Sequence, residues 1–237
     1  MSSTASSRTF NSALLAAGVW LAGCAAQPGG RLLYSDDFSR DLSQWHVEAE
    51  QPARVGIVEG ALDVDTPAGI TLWFRPRLDG PVRIEFDAIA VSEGGHNDQV
   101  SDLNVFWMAS NRDGATPVFA RPRSGRFADY HDLLTYYVGL GGNRNSTSRF
   151  RRYIGDSESR PLLAEHDLRA SSALLVPNKK QKITLIADRH TIEYWRDGER
   201  LFQLIDESPY VSGWFAFRST WSHLRLDNFR VYSLRAR

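Results

Sequence analysis

The chain has 237 residues, 42% of them hydrophobic, and its 28 Lys and Arg balance 28 Asp and Glu, so the formal charge is zero. That balance excludes a polyanion binder working by bulk charge, which sets nucleic acid aside as a partner, and the composition excludes coiled-coil, collagen and disordered classes. A single cysteine, Cys24, excludes an internal disulfide framework and any multi-cysteine zinc site.

Residues 1–23 read as an export signal. Their apolar run, Ala13 to Ala22, is too short for a bilayer, which needs about 20 apolar residues. The order Leu21-Ala22-Gly23-Cys24 resembles the bacterial lipobox, in which the cysteine takes lipid and becomes the new N-terminus. The expectation is a lipoprotein: a signal over 1–23, lipidated Cys24 with a short tether over 24–30, and one domain over 31–237, held at a membrane by its lipid. An ordinary secretory signal with an incidental cysteine is the alternative.

From residue 31 the pattern is that of short strands. Leu33 to Phe38 opens the domain, and Val55–Val58 and Ala61–Val64 flank a turn at Glu59-Gly60. Val82–Ile89 alternates apolar with polar, and Leu103–Ala109, Leu133–Leu140 and Thr147–Ile154 follow. Lys182–Ile186 and Thr191–Trp195 bracket a tight turn; Asp197-Gly198 then starts a hairpin into Arg200–Ile205. Trp214–Arg218 and Leu224–Leu234 end the series, the last expected beside the first. No helical period lasts ten residues. At least ten antiparallel strands imply an all-β sandwich of two sheets, because one sheet of that size would leave an apolar face in water.

Tyr34-Ser35-Asp36-Asp37-Phe38, Leu42-Ser43-Gln44-Trp45, Val58-Glu59-Gly60-Ala61-Leu62 and the late Leu226-Asp227-Asn228-Phe229-Arg230-Val231-Tyr232 resemble the concanavalin A-like jelly rolls. Asn104 to Ala109, Gly125 to His131 and Arg149 to Tyr153 are similar to the YesU-like members, encoded beside genes for breakdown of rhamnogalacturonan pectin. The resemblance implies a concanavalin A-like β-sandwich and a glycan-related role, in a superfamily that holds lyases, hydrolases and non-catalytic sugar binders.

Between Arg121 and Arg160 lie eight arginines against four acidic residues, a local positive patch inside a neutral chain. A strand period of two puts Thr147, Arg149, Arg151 and Tyr153 on one face and Phe150 on the other. With Phe150 in the core, the two arginines face a groove, where planar guanidinium groups suit the carboxylate of a uronic acid. The same period places Asn104, Tyr137, Trp73 and Arg218 toward the groove and Val105, Trp107, Tyr136, Phe215 and Phe217 toward the core. A solvated surface of scattered ion pairs, and tryptophans that simply fill a core, are the competing readings.

This set fits β-elimination from a uronate-containing poly- or oligosaccharide. Arg149 or Arg151 with Asn104 would neutralise the sugar carboxylate, and His131 with Tyr137 or Tyr153 would supply base and acid, as in jelly-roll lyases with a Tyr/His pair. Hydrolysis needs two carboxylates; the Glu-x-Asp-x-x-Glu strand motif of jelly-roll glucanases is missing, and Asp102 is one carboxylate. No cofactor is expected for the chemistry. The resemblance implies a structural Ca²⁺ near Asp37 and Asp227, with an ion-free Asp-Asn turn as the alternative. Gly139 to Asn143 reads as a strand end whose backbone approaches a ligand. Two functions stay open: a lyase, or a non-catalytic glycan-binding lipoprotein with the same groove.

Overall fold

A computed structural model of the chain describes residues 30–235; the segment expected to be an export signal, and Cys24, lie outside the described residues. Within them fourteen strands follow in order: β1 Arg31–Asp36, β2 Trp45–Ala49, β3 Arg54–Val58, β4 Ala61–Phe74, β5 Leu78–Asp79, β6 Val82–Ala90 and β7 Leu103–Ser110. The second half gives β8 Leu134–Gly141, β9 Thr147–Ile154, β10 Asp167–Leu168, β11 Gln181–Asp188, β12 Thr191–Arg196, β13 Glu199–Ile205 and β14 Ser212–Ser233. All pairings between these strands are antiparallel.

Two long strands build both layers. The first part of β14 pairs with β7 over Trp214 to Arg218, and the last part pairs with β6 over Leu224 to Ser233. Its partner β4 runs alongside through both halves, with a register shift where Thr220 faces Gly69 and Ser222 faces Thr66. The extra residues, Trp221 on one strand and Pro67-Ala68 on the other, form a bulge that turns both strands from one layer into the other. The sequence reading divides β14 into two strands and stops β4 at Val64, because the bulge breaks the alternation without breaking the ladder. The expected pairing of first and last strands is present, from Arg31 opposite Ser233 to Asp36 opposite Phe229.

One layer therefore reads β10-β9-β8-β7-β14-β4-β2, and the other reads β3-β4-β14-β6-β11-β12-β13, with β1 along the end of β14. The core between them holds Val105, Trp107, Tyr136, Val138 and Phe150 from the first layer against Phe86, Leu185, Tyr194 and Val231 from the second. Phe215 and Phe217 point into the same core, where Phe217 stacks on Trp45 at 5.1 Å. Each such aromatic contributes roughly 1.5–3 kcal/mol by leaving water. The period-two assignment of inward residues on β7, β8, β9 and β14 thus matches the architecture.

Candidate functional site

The outward face of the first layer is organised by cross-strand rows. One row runs Arg149, Gly139, Asn104, Arg218, Thr71, and the next runs Arg151, Tyr137, Phe106, with Ala216 and Trp73 continuing it across β14 and β4. Much of this face is not open. The connection between β7 and β8 folds back over it and brings Val118, Tyr130 and Leu133 onto Trp73, Phe106, Tyr137, Tyr153 and Trp214, which makes a second apolar cluster. Every residue of β7 is consequently buried, on both faces of the strand.

Three expected groove residues belong to this cover. Trp73 is sealed, its indole Nε1 donating to Glu48 Oε2 at 2.9 Å while Tyr130 Oη donates to the same oxygen at 2.8 Å. Tyr153 is fully buried under His131 and Tyr137 and is not among the residues that line the cavity. Arg218, 2% exposed, donates from Nη1 to Thr71 Oγ1 and to the Gly125 carbonyl, both at 2.9 Å, with its guanidinium 4.9 Å from the Phe127 ring. It clamps the cover and makes no ion pair among the described residues. Gly125 itself must be glycine: its φ is +86°, and a Cβ there would lie 2.4 Å from the Glu50 nitrogen.

What is left open is a cleft of about 560 Å³ at the edge of the cover. Its basic lining is Arg144, Arg149, Arg151 and Arg160, and Asp102 is the one acidic side chain among its lining residues. Of the eight arginines in the positive segment, Arg121, Arg126 and Arg152 pair with Asp132, Glu50 and Asp206, and Arg123 is hydrogen-bonded inside the cover. Arg149 is also engaged: Nε donates to Asp167 Oδ1 at 2.8 Å and Nη2 to Oδ2 at 3.3 Å, so its fork already holds a carboxylate of this chain. Arg144, Arg151 and Arg160 have no ion pair among the described residues.

The polar groups of the cleft are tuned by these charges. Arg160 Nη1 stands 2.9 Å from His131 Nε2; since a guanidinium only donates, Nε2 accepts and the ring proton sits on Nδ1. Burial, then Arg160, Arg218 and Arg151, holds the His131 imidazole below its ordinary value, so it is neutral at pH 7. Tyr137, 7% exposed, has its phenol pushed well up by burial and stays protonated. Burial raises the Asp102 carboxyl as well, against donation from Ser101 Oγ and from Asn104 Nδ2 at 3.1 Å. With Nδ2 so used, Asn104 Oδ1 is a buried acceptor without a partner. The floor beside it is Gly139, where a Cβ would lie 2.8 Å from Tyr137 Oη and 3.3 Å from Asn104 Oδ1. The missing side chain is what gives the cleft its depth.

Four rim residues have strained backbone. Asp102, Asn143, Arg144 and Trp221 all have positive φ, at 57°, 54°, 56° and 42°. Asp and Asn tolerate this region, whereas an arginine or a tryptophan pays about 1–2 kcal/mol. Arg144, Arg160 and Trp221 are among the cleft residues that sequence reasoning left out of the site: Arg144 lies in a turn, Arg160 sits in an irregular segment without periodicity, and Trp221 is the bulge residue itself. The two residues expected at a calcium site make local hydrogen bonds. Asp37 Oδ1 accepts from Ser39 Oγ at 2.7 Å, and Asp227 accepts from the Asn228 backbone and side chain. Asp37 lines a second cavity with Asn228 and Arg230, Asp227 lies outside that lining, and no group of three or more His, Cys, Asp or Glu suited to a metal occurs among the described residues.

Residues 64–229 match the family described as "Domain of unknown function (DUF6250)", and the chain belongs to that family. No curated protein matches it in sequence. Among solved structures it is similar to a Bacillus subtilis protein of unknown function with a galectin-like fold, at TM-score 0.68 and 15% identity over 86% of this chain and 96% of that one. It is also similar to the carbohydrate-binding module CBM66 of Bacillus subtilis, at TM-score 0.54 and 10% identity over 80% and 96%. A third likeness is LamA from Z. galactanivorans in complex with laminaritriose and laminaritetraose, at TM-score 0.55 and 10% identity over 86% and 99%. At such identities the likeness establishes the fold, a jelly roll of the concanavalin A type.

Proposed function

We propose that the cleft binds an acidic, uronate-containing glycan and cleaves it by β-elimination. The observation that carries this reading is the meeting in one cleft of Arg151 and Arg160, which make no ion pair among the described residues although Arg151 Nη1 donates to the Arg160 carbonyl, with a neutral His131 and a protonated Tyr137. The sugar carboxylate takes the two guanidinium groups, which neutralises it and acidifies the C5 proton. Drawn to the carboxylate, Arg160 leaves His131 Nε2, which then removes that proton. The C5–H electron pair forms the C4–C5 double bond, the C4–O4 bond breaks, and the Tyr137 hydroxyl donates its proton to the departing oxygen. Hydrolysis by a carboxylate pair is disfavoured because Asp102 is the single carboxylate among the lining residues.

A glycan as ligand is supported by two of the neighbours, a carbohydrate-binding module and a protein solved with laminari-oligosaccharides. The similarity to YesU-like proteins puts pectic polymers first among acidic candidates, and the lipobox-like Cys24 supports attachment at a membrane face. One observation favours the second reading, a glycan-binding lipoprotein without chemistry: Arg160 already occupies His131 Nε2. Incubation with a panel of uronate polymers, followed by the ultraviolet absorbance of unsaturated chain ends, separates the two. A rise lost in Tyr137→Phe supports the lyase. Binding to a polymer with no rise supports the binder.

A further inference from the structure

We infer that the cleft has a second sugar position, built by Trp221 and Arg144 at its rim, so that its ligand is a chain of at least two sugar units rather than a single uronate. This rests on the acidic-glycan reading and extends it. Trp221 is 39% exposed, lines the same cleft as Arg151, and belongs to neither hydrophobic cluster, so packing does not account for it. The Arg144 guanidinium lies 5.7 Å from the Trp221 ring centroid, with no hydrogen bond and no ion pair among the described residues. An indole open to solvent at a cleft mouth offers a flat apolar surface to the carbon face of a pyranose ring, and a cation beside it takes that ring's carboxylate.

The backbone gives an independent reason. Trp221 and Arg144 are held at φ of 42° and 56°, where glycine is free of strain and a bulky side chain is not. Two costly side chains at glycine-like positions, one in the turn between β8 and β9 and one on β14, meet over one opening. A structural role would be served better by glycine at either position; a ligand-gripping role needs the side chains.

The test titrates the full chain with a single uronate and with its trimer, for the unaltered protein, Trp221→Gly and Arg144→Gly. The unaltered chain binds the trimer about tenfold more tightly than the single unit, a gain of the size one stacked ring provides. Trp221→Gly removes most of that gain and Arg144→Gly part of it, with affinity for the single unit unchanged and thermal stability equal or higher. Equal affinity of the unaltered chain for single unit and trimer, or an unaltered trimer gain in both variants, overturns the second position and leaves the acidic-glycan reading standing. Absence of any uronate binding overturns that reading and this inference with it.

Discussion

Three guanidinium groups, those of Arg160, Arg218 and Arg151, surround His131 and oppose its protonation together with burial, which is the largest cause. Unfolded, this imidazole titrates near 6.5; folded, it titrates below that. Between the two values the unfolded chain binds the extra proton, so the stability tied to this site is complete above pH 6.5 and is lost as pH falls through the folded value. Under the proposed β-elimination, the acid limb of turnover would follow the same group, since the base must be neutral. An NMR titration of the His131 ring is expected to give a midpoint below 6.5, and a midpoint at or above 6.5 would remove the electrostatic account of the cleft. Much at this scale was legible beforehand. The alternation from Thr147 to Tyr153 separates Phe150 from Arg149 and Arg151 because side chains of a strand change face at every residue. It is silent on Asp167, which reaches Arg149 from another strand, and on Arg160, which lies in no strand. Arg218 and Trp73 have the correct face and the wrong environment, since facing outward from a sheet does not mean facing water.

The connection from Asn111 to Leu133 is the element that decides that environment. It is fastened at Glu48, whose Oε2 accepts from both Tyr130 Oη and Trp73 Nε1, and at Arg218, which donates to the Gly125 carbonyl. Hydrophobic periodicity marks the outward aromatics of β4, β7 and β9 but carries no sign that an irregular segment returns to cover them. Tyr130→Phe keeps the ring and removes the hydroxyl bond to a buried carboxylate, a loss of roughly 1.5–3 kcal/mol. Denaturant unfolding is expected to show that loss, and limited proteolysis to cut faster within 111–133. Unchanged stability and cutting would mean that the cover is held by apolar packing alone.

At the scale of the whole molecule, β4 and β14 belong to both layers, so the sandwich is one hydrogen-bonded unit and not two sheets that merely touch. Truncation after Arg225 removes the stretch that pairs with β1 and with β6, and leaves both strands with unpaired edges. The expected result is loss of the cooperative thermal transition; full thermal stability would show that the end of β14 is dispensable. The anchoring expected at Cys24 is tested apart from this fold. Cys24→Ser is expected to move the protein out of the membrane fraction, or leave it unprocessed, while the domain melts as before; equal detergent partitioning of both forms would refute lipid attachment at Cys24. Pattern alone reached the all-β sandwich, since alternation and turns are local properties; the first-to-last strand pairing is long-range and does not follow from them. The bulge that turns two strands at Pro67 and Trp221, and so places a tryptophan at the cleft mouth, is a property of the assembled sheet. The central claim is that Arg151 and Arg160 recognise a sugar carboxylate. Its most direct test is calorimetric titration of the unaltered chain and Arg151→Lys with an oligo-uronate and with its neutral counterpart. Lysine keeps the charge and loses the planar fork, so the account predicts a ten- to hundredfold weaker uronate, about the worth of one charge-assisted bidentate bond, with the neutral sugar unaffected. An equal fall for both sugars, or no fall for either, would contradict it.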